Sequence, residues 1–189
     1  MKVIAASEIR GPAGCSDKLL KAEVARFVEP PRRVDRLILQ SLLGAAPFLP
    51  LLRKDCGLYL AADYPCRPTM ELLLEAVFVQ HKLPKPLEFV NSVSNAAGFH
   101  VAQKLGVEGP NLFIGAGRDL WRQFCEIAAL DMADGVVSQA LLIHSANPDE
   151  FVVRSLLLDN TPGTADSSSF ATLSEGLDIS RLEIVRADG

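Results

Sequence analysis

Apolar residues recur along this chain with two spacings, and segments of the two kinds alternate. Between residues 34 and 45 the apolar positions lie three or four residues apart, which predicts an amphipathic helix that Pro47 and Pro50 terminate. Three further segments show this helical spacing: residues 69–79 behind the candidate N-cap Thr69, residues 94–105 before the candidate C-cap Gly106, and residues 120–132 before Asp134-Gly135.

Short apolar runs separate these helices and predict buried strands. They cover residues 2–8, 57–62, 111–114, 139–145, 151–158 and 182–185. Turn residues at 10–14 close the first strand, and we expect a loop to follow. Residues 161–169 are small and polar and predict a flexible loop. Strands alternating with helices are typical of an α/β layered domain with a mostly parallel or mixed central sheet and flanking helices, and we expect one domain over residues 1–189.

Composition and charge restrict the partners that we expect. The chain has 189 residues, of which 49% are hydrophobic, which is sufficient for a substantial core. Its formal net charge of −4 gives no general attraction to nucleic acid or to an anionic membrane. No apolar run approaches the roughly 20 residues that span a bilayer, and charge interrupts residues 1–8 too early for a signal peptide. We therefore expect a cytoplasmic protein without a nucleic-acid or membrane partner.

The residue types that bind metals are dispersed. Cys15, Cys56, Cys66 and Cys125 include no CxxC pair, which argues against a structural zinc site. The three histidines are equally scattered. The sequence therefore predicts free thiols, no metal and no cofactor.

Residues 109–120 carry the most distinctive pattern. Gly109-Pro110 precedes the apolar strand 111–114, and Gly115-Ala116-Gly117-Arg118-Asp119 follows it and leads into the helix at Leu120. Strand, glycine-bearing turn and helix form the arrangement of a nucleophile elbow, but the turn contains no serine or cysteine. The GxG pattern also suggests a dinucleotide loop, although its third glycine would fall at Leu120 and no strand-end acid follows about 20 residues on. An ordinary turn is the third interpretation.

This segment and its surroundings resemble the N-terminal half of the β-ketoacyl synthase branch of the thiolase fold. Four motifs carry the resemblance in their order along the chain: Arg33-Val34-Asp35-Arg36, Cys56-Gly57-Leu58-Tyr59-Leu60, Pro86-Leu87-Glu88-Phe89 and Gly106-Val107-Glu108-Gly109-Pro110. The resemblance is most specific over residues 86–147. It is greatest to the ketosynthase-like and chain-length-factor-like proteins of bacterial polyketide and aryl polyene clusters.

The resemblance implies a scaffold without its nucleophile. Counting from Gly109-Pro110 without gaps places Arg118 at the position of the family's cysteine, so Gly115, Ala116, Gly117 and Arg118 would be a vestigial elbow. Condensation requires a thiolate, which none of these residues supplies. The family's second half, which provides further catalytic histidines, has no counterpart in these residues, and we expect the side of the sheet that it covers to expose a large apolar face.

The resemblance also implies partners. The strand Asn111, Leu112, Phe113 and Ile114 would pair with its counterpart across a two-fold axis. That counterpart would belong to a second copy of the chain or to an active ketosynthase, and an acyl carrier protein is a further expected partner. The leading prediction is a non-catalytic ketosynthase-like subunit that acts through dimerisation in fatty-acid, polyketide or aryl polyene biosynthesis.

The alternative prediction is a small acyltransferase or thioesterase-like enzyme that uses Cys125 or His144. Core packing is the simpler role for Cys125, since free cysteines are among the most buried residues. His144 ends a strand without a recognisable nucleophile motif, and its simpler role is that of a hydrogen-bonded structural histidine. For Arg118 three roles stay open: filling the vestigial cavity, pairing with Asp119 or another carboxylate, or binding a phosphopantetheine phosphate.

Overall fold

The computed structural model describes residues 1–11, 15–146 and 152–160. The strands are β1 (Lys2–Arg10), β2 (Gly57–Ala62), β3 (Asn111–Gly115), β4 (Gln139–Ala146) and β5 (Val152–Asp159). The α-helices are α1 (Asp17–Val24), α2 (Arg36–Ala45), α3 (Arg67–Leu74), α4 (Pro86–Asn91), α5 (Ala96–Leu105) and α6 (Leu120–Ala133). A 3₁₀ segment, Ala46–Leu51, continues α2, and a π-helical turn, Glu75–Val79, continues α3. Phe151 and the elements predicted at 161–169 and 182–185 lie outside the described residues.

The five strands form one mixed sheet in the order β1-β5-β4-β2-β3. Strand β2 runs parallel to β4 and to β3, whereas β5 is antiparallel to both β4 and β1. Leu60 of β2 lies opposite Ile143 on one side and Phe113 on the other. The predicted fold class, an α/β layer with a mixed central sheet and flanking helices, is confirmed. Strand β3 is the outer strand beside β2.

Helices cover both faces of the sheet because residues alternate across it. Leu58 and Leu60 of β2 pack with α1, α2 and α5, and Tyr59 and Ala61 pack with α6. Helix α2 is almost wholly buried, from Leu37 to Ala45, which is expected of a helix that is apolar on most sides. The expectation that one side of the sheet exposes a large apolar face is wrong for the side that α6 covers, since six residues that face α6 on β2, β4 and β5 are at most 2% exposed: Tyr59, Ala61, Ala140, Leu142, Leu156 and Leu158.

Three local predictions need correction. Residues 17–24 form a helix where we expected a loop, and the Ser16 hydroxyl caps it by accepting from the amide of Leu19 at 3.3 Å. Thr69 is not an N-cap, because α3 begins at Arg67 behind Cys66, whose φ is 53°. Helix α4, which the apolar spacing did not predict, begins at Pro86, since proline is tolerated at the first helical position.

Residues 64–93, here called the arm, connect β2 to α5 and contain α3, the π-helical turn and α4. The apolar spacing over 69–79 predicted a helix that faces a core, but no residue of α3 or of the π-helical turn is buried, and α4 buries only Asn91. Hydrogen bonds between described residues attach the arm to the body: the Thr69 hydroxyl donates to Asp35, and the Asn91 amide donates to the Arg33 carbonyl at 2.7 Å.

Candidate functional site

The sequence-predicted site residues lie at the edge of the sheet where the parallel strands end. The turn Gly115–Asp119 follows β3, Asp63 follows β2, and His144 and Ser145 are near the end of β4. The carboxyl ends of adjacent parallel strands are the usual position of ligand sites in α/β sheets. The predicted elbow and His144 therefore share one edge of the molecule.

The turn itself is open to solvent. Residues 115–119 are all exposed, and Leu120 is the first buried residue of α6. The glycines are not needed for the shape of the turn, because neither Gly115 nor Gly117 has a φ in the left-handed region and a Cβ at either position would meet no atom within 4 Å. The space beside them is free in the single chain.

Arg118 lies in the exposed turn that precedes α6. Its side chain is exposed and fills no cavity. Asp119 lies 3.5 Å from Arg122 on α6 instead of pairing with Arg118, and within the described ranges Arg118 has no ion-pair partner. The guanidinium therefore faces solvent at the start of α6.

His144 is held between an acidic and an aromatic side chain. Its Nε2 lies 2.9 Å from Asp63 Oδ1, and the Trp121 ring meets it edge-on with centroids 6.1 Å apart. The residue is only 8% exposed, and its Nδ1 has no hydrogen-bond partner among the described residues. No hydroxyl or thiol of that part of the chain contacts the ring by a hydrogen bond. A histidine–aspartate pair without a nucleophile orients an imidazole but does not transfer an acyl group.

Cys125 lies in the core between α6 and the sheet. It is 1% exposed and packs in the same cluster as Phe124, Ala128 and Tyr59. Burial raises the pKa of the Cys125 thiol to about 11, and that of Cys56 and Cys66 to about 12. At neutral pH these side chains are protonated thiols, which are poor nucleophiles.

A cleft of about 40 Å³, which no sequence pattern indicated, lies on the other face of the sheet. The Ser145 hydroxyl donates to Gln40 Oε1 at 3.0 Å, while Asp35 Oδ1 accepts from the amide of Leu37 at 2.8 Å. The volume holds one or a few water molecules rather than an acyl chain. Its lining residues come from α2, β2, β4 and the arm, and such a convergence leaves no local pattern in a sequence.

Two classes of feature are absent from the described ranges. No helix there is long and apolar enough to cross a membrane. No three histidine, cysteine, aspartate or glutamate side chains converge there on a point that could hold a metal ion.

Neither a protein-family model nor a curated protein matches the chain, but solved structures do. The ketosynthase ApeO in complex with its chain length factor ApeC from Xenorhabdus doucetiae aligns with a TM-score of 0.63 and 14% identity over 86% of this chain and 79% of that chain. The ishigamide ketosynthase/chain length factor aligns with a TM-score of 0.61 and 13% identity over 75% and 48%. The complex AntDE:AntF, a type II polyketide synthase acyl carrier protein with its ketosynthase, aligns with a TM-score of 0.60 and 12% identity over 92% and 64%. The chain has a ketosynthase-like fold.

This ketosynthase-like fold confirms the fold that the resemblance of the four motifs implied. At identities of 12–14% the match establishes the fold alone, so the chemistry has to be argued from the residues. The chain spans about half the length of the ishigamide protein that it matches, at 48%. The chain matched in the ApeO–ApeC complex is closer to this one in length, since 79% of it is covered.

Proposed function

We propose that this chain is a non-catalytic, chain-length-factor-like subunit that dimerises with an active ketosynthase in polyketide, fatty-acid or aryl polyene biosynthesis. One observation carries the proposal: β3, the exposed turn and α6 are in place, but the turn presents Arg118 and no thiol. The scaffold is thus kept while the group that would carry the acyl chain is missing from this turn.

The remaining candidate nucleophile does not replace that group. Acyl transfer to sulfur needs a thiolate that the substrate can reach. Cys125 is 1% exposed, and its pKa of about 11 keeps it protonated at neutral pH. His144 pairs with Asp63, and no thiol or hydroxyl of the described residues hydrogen-bonds to its ring.

Strand β3 supports a role in dimerisation. Among the described strands it is the outer one, paired with β2 on one side, and its residues Asn111 and Leu112 are exposed. An uncovered apolar edge strand is a site for pairing with another chain. Pairing with the corresponding strand of a ketosynthase would continue the sheet across the two subunits.

The similar structures suggest the type of partner. ApeO is a ketosynthase in complex with a chain length factor, and AntDE:AntF joins a ketosynthase with an acyl carrier protein. We assign the corresponding partners to this chain: a cysteine-containing ketosynthase as the stable partner, and the acyl carrier protein as a transient one.

Co-expression with each cysteine-containing ketosynthase of the source genome tests the proposal. We expect one of them to form a 1:1 complex in size-exclusion chromatography with light scattering. Leu112→Glu on β3 should weaken this complex at least tenfold, since the exposed edge of β3 would then carry a charge that has to be desolvated. Leu130→Glu on α6 is the matched control and should bind like wild type, because Leu130 is 65% exposed on another element.

Two results would contradict the proposal. One is a chain that binds none of these ketosynthases. The other is an acyl-enzyme adduct, detected by intact-mass analysis after incubation with acyl carrier substrates and abolished by Cys125→Ser or His144→Ala. That second result would select the acyltransferase or thioesterase alternative.

A further inference from the structure

The arm exposes more apolar surface than the rest of the described chain. Of the twenty large hydrophobic side chains that are exposed in the described residues, twelve belong to residues 64–93. They are Tyr64, Met70, Leu72, Leu74, Val77, Phe78, Val79, Leu83, Leu87, Phe89, Val90 and Val93. Phe78 and Val79 are each 71% exposed and Leu83 is 94% exposed, so the side chains are turned outward.

The helices of the arm are not stabilised by a hydrophobic core of their own. Helix α3 has eight residues and α4 has six, and the only buried residue in either helix is Asn91. Helices of this length are marginal in isolation and depend on packing of their apolar side chains. A surface that covers the arm would supply that packing.

Exposed apolar side chains also occur on the two elements that follow the arm in the chain, α5 and β3. Helix α5 follows the arm directly, and a Cβ at Gly98 would overlap the side chain of Asn111, so the start of α5 lies on β3. Phe99 on α5 is 58% exposed and Leu112 on β3 is 40% exposed. Exposed apolar side chains are therefore present on the arm, on α5 and on the strand edge that the proposed function assigns to the ketosynthase.

Size and charge indicate what covers this surface. The twelve side chains expose on the order of 1,000 Å², compared with about 800 Å² per partner in a standard protein–protein interface and roughly 300–600 Å² for the largest apolar patch of a typical monomer. The arm carries three basic and three acidic residues, and Arg67 pairs with Glu71 at 2.8 Å and Lys85 with Glu88 at 3.5 Å. A surface without excess positive charge is unlike a membrane-binding helix, which is rich in lysine and arginine, and fits an apolar protein surface.

We propose that the arm is a second ketosynthase-binding surface, which extends the interface at β3 and packs its outward-facing apolar side chains against the ketosynthase subunit. The inference rests on the proposed function, because it takes the ketosynthase as the partner. It adds that β3 pairing is not sufficient for a stable complex and that the arm contributes a large part of the affinity.

The test uses the ketosynthase found in the co-expression experiment and the full chain. The double variant Phe78→Ser/Leu83→Ser removes two outward-facing side chains that lie outside the core, so its melting temperature as a free chain should equal that of wild type. We expect its complex with the ketosynthase to be at least tenfold weaker in sedimentation velocity or calorimetry. Leu130→Ser, also at an exposed leucine, is the control and should change the affinity less than twofold.

The outcomes separate the inference from the proposed function. If wild type binds and the double variant binds equally well while Leu112→Glu does not, the arm is not part of the interface and the proposed function stands. If wild type binds no ketosynthase, both fail. Two further results overturn the inference alone: a homodimer of the free chain that the double variant loses while it keeps full ketosynthase affinity, and co-sedimentation with phosphatidylglycerol vesicles that the double variant loses in the same way.

Discussion

The chemistry of single residues in this chain depends on their surroundings more than on their type. All four cysteines are buried, and burial raises the pKa of three of them to about 11 or 12. Among the glycines, Gly109 is packed against backbone, whereas Gly117 has open space around it. Residues of the same type therefore respond differently to the same change.

Gly109→Ala should destabilise the protein. A Cβ at Gly109 would overlap the carbonyl oxygen of Cys56, and backbone cannot yield as a flexible side chain does. We expect a loss of about 1–3 kcal/mol in the free energy of unfolding, measured by urea denaturation. Gly117→Ala is the matched control and should be neutral or stabilising by up to about 1 kcal/mol. Equal stability of the two variants would show that the turn before β3 is not packed as described.

Cys125 should resist alkylation in the folded protein. A thiol that is 1% exposed with a pKa of about 11 presents little thiolate to iodoacetamide at pH 8. Peptide mapping by mass spectrometry should show labelling far slower than that of free glutathione, and full labelling of all four cysteines in urea. Labelling of Cys125 in the native protein faster than glutathione would favour the enzyme alternative.

At the scale of the elements, hydrogen bonds from Thr69 and Asn91 attach the arm to the residues at and before the start of α2. Asp35 has a double role in this attachment, since it caps α2 through the amide of Leu37 at 2.8 Å and accepts from the Thr69 hydroxyl of α3. Asn91 provides the other attachment, to the Arg33 carbonyl. The two contacts hold both ends of the arm while leaving its apolar side chains outward.

Thr69→Val should loosen the arm without unfolding the body. The variant removes the hydroxyl that bonds Asp35 but leaves the α2 cap in place. Hydrogen–deuterium exchange should become faster over residues 67–79 and stay unchanged in β2 and β4, because local opening depends on local contacts. Ser92→Ala, which removes a hydrogen bond within the arm to the Phe89 carbonyl at 2.7 Å, is the control and should not affect residues 67–79. Faster exchange in the sheet as well would mean that the arm is part of the cooperative core.

At the scale of the whole molecule, groups that ordinarily titrate below pH 7 and groups that ordinarily titrate above it both stabilise the folded state at neutral pH. Burial alone would raise the pKa of Glu8, but hydrogen bonds from Arg154 at 2.6 Å and Arg10 at 2.7 Å outweigh it and lower the pKa below its ordinary 4.5. Hydrogen bonds from Ser138 similarly lower the pKa of Asp55. Burial raises the pKa of Cys56, Cys66 and Cys125 above their ordinary 9.0.

The stabilisation from these groups should therefore be greatest between the ordinary pKa of the Glu8 carboxyl, 4.5, and that of the thiols, 9.0. A lowered carboxyl pKa stabilises the fold above the ordinary value, so this contribution is lost as the pH falls below 4.5. A raised thiol pKa stabilises the fold below the ordinary value, so that contribution is lost as the pH rises from 9.0 towards 11 or 12. Urea denaturation over a series of pH values measures the loss of stability on the acidic and on the alkaline side. Glu8→Gln should reduce the loss on the acidic side. If Glu8→Gln loses as much stability at acidic pH as wild type, other carboxylates cause that loss.

The sequence by itself determined the elements whose stability is local. The strand at 57–62 and the helix ending at Gly106 were predicted at these positions, because apolar runs, spacing and a glycine with φ of 69° act through near neighbours. The order of motifs from Arg33 to Pro110 was enough to indicate the ketosynthase-like fold. What it could not determine was the role of Cys66 as the residue before α3, since a φ of 53° is disfavoured for cysteine and is imposed by its surroundings.

Only the tertiary structure decided which elements cover one another. Gln40 and Ser145 meet across 105 positions of the chain, and no local pattern encodes that contact. The apolar spacing over residues 69–79 is the same kind of signal as that of α2, yet α2 is buried in this chain and α3 is exposed. Periodicity reports that one side of a helix is apolar, but the burial of that side depends on the partner, which for α2 is the sheet and for the arm is, by our inference, another subunit.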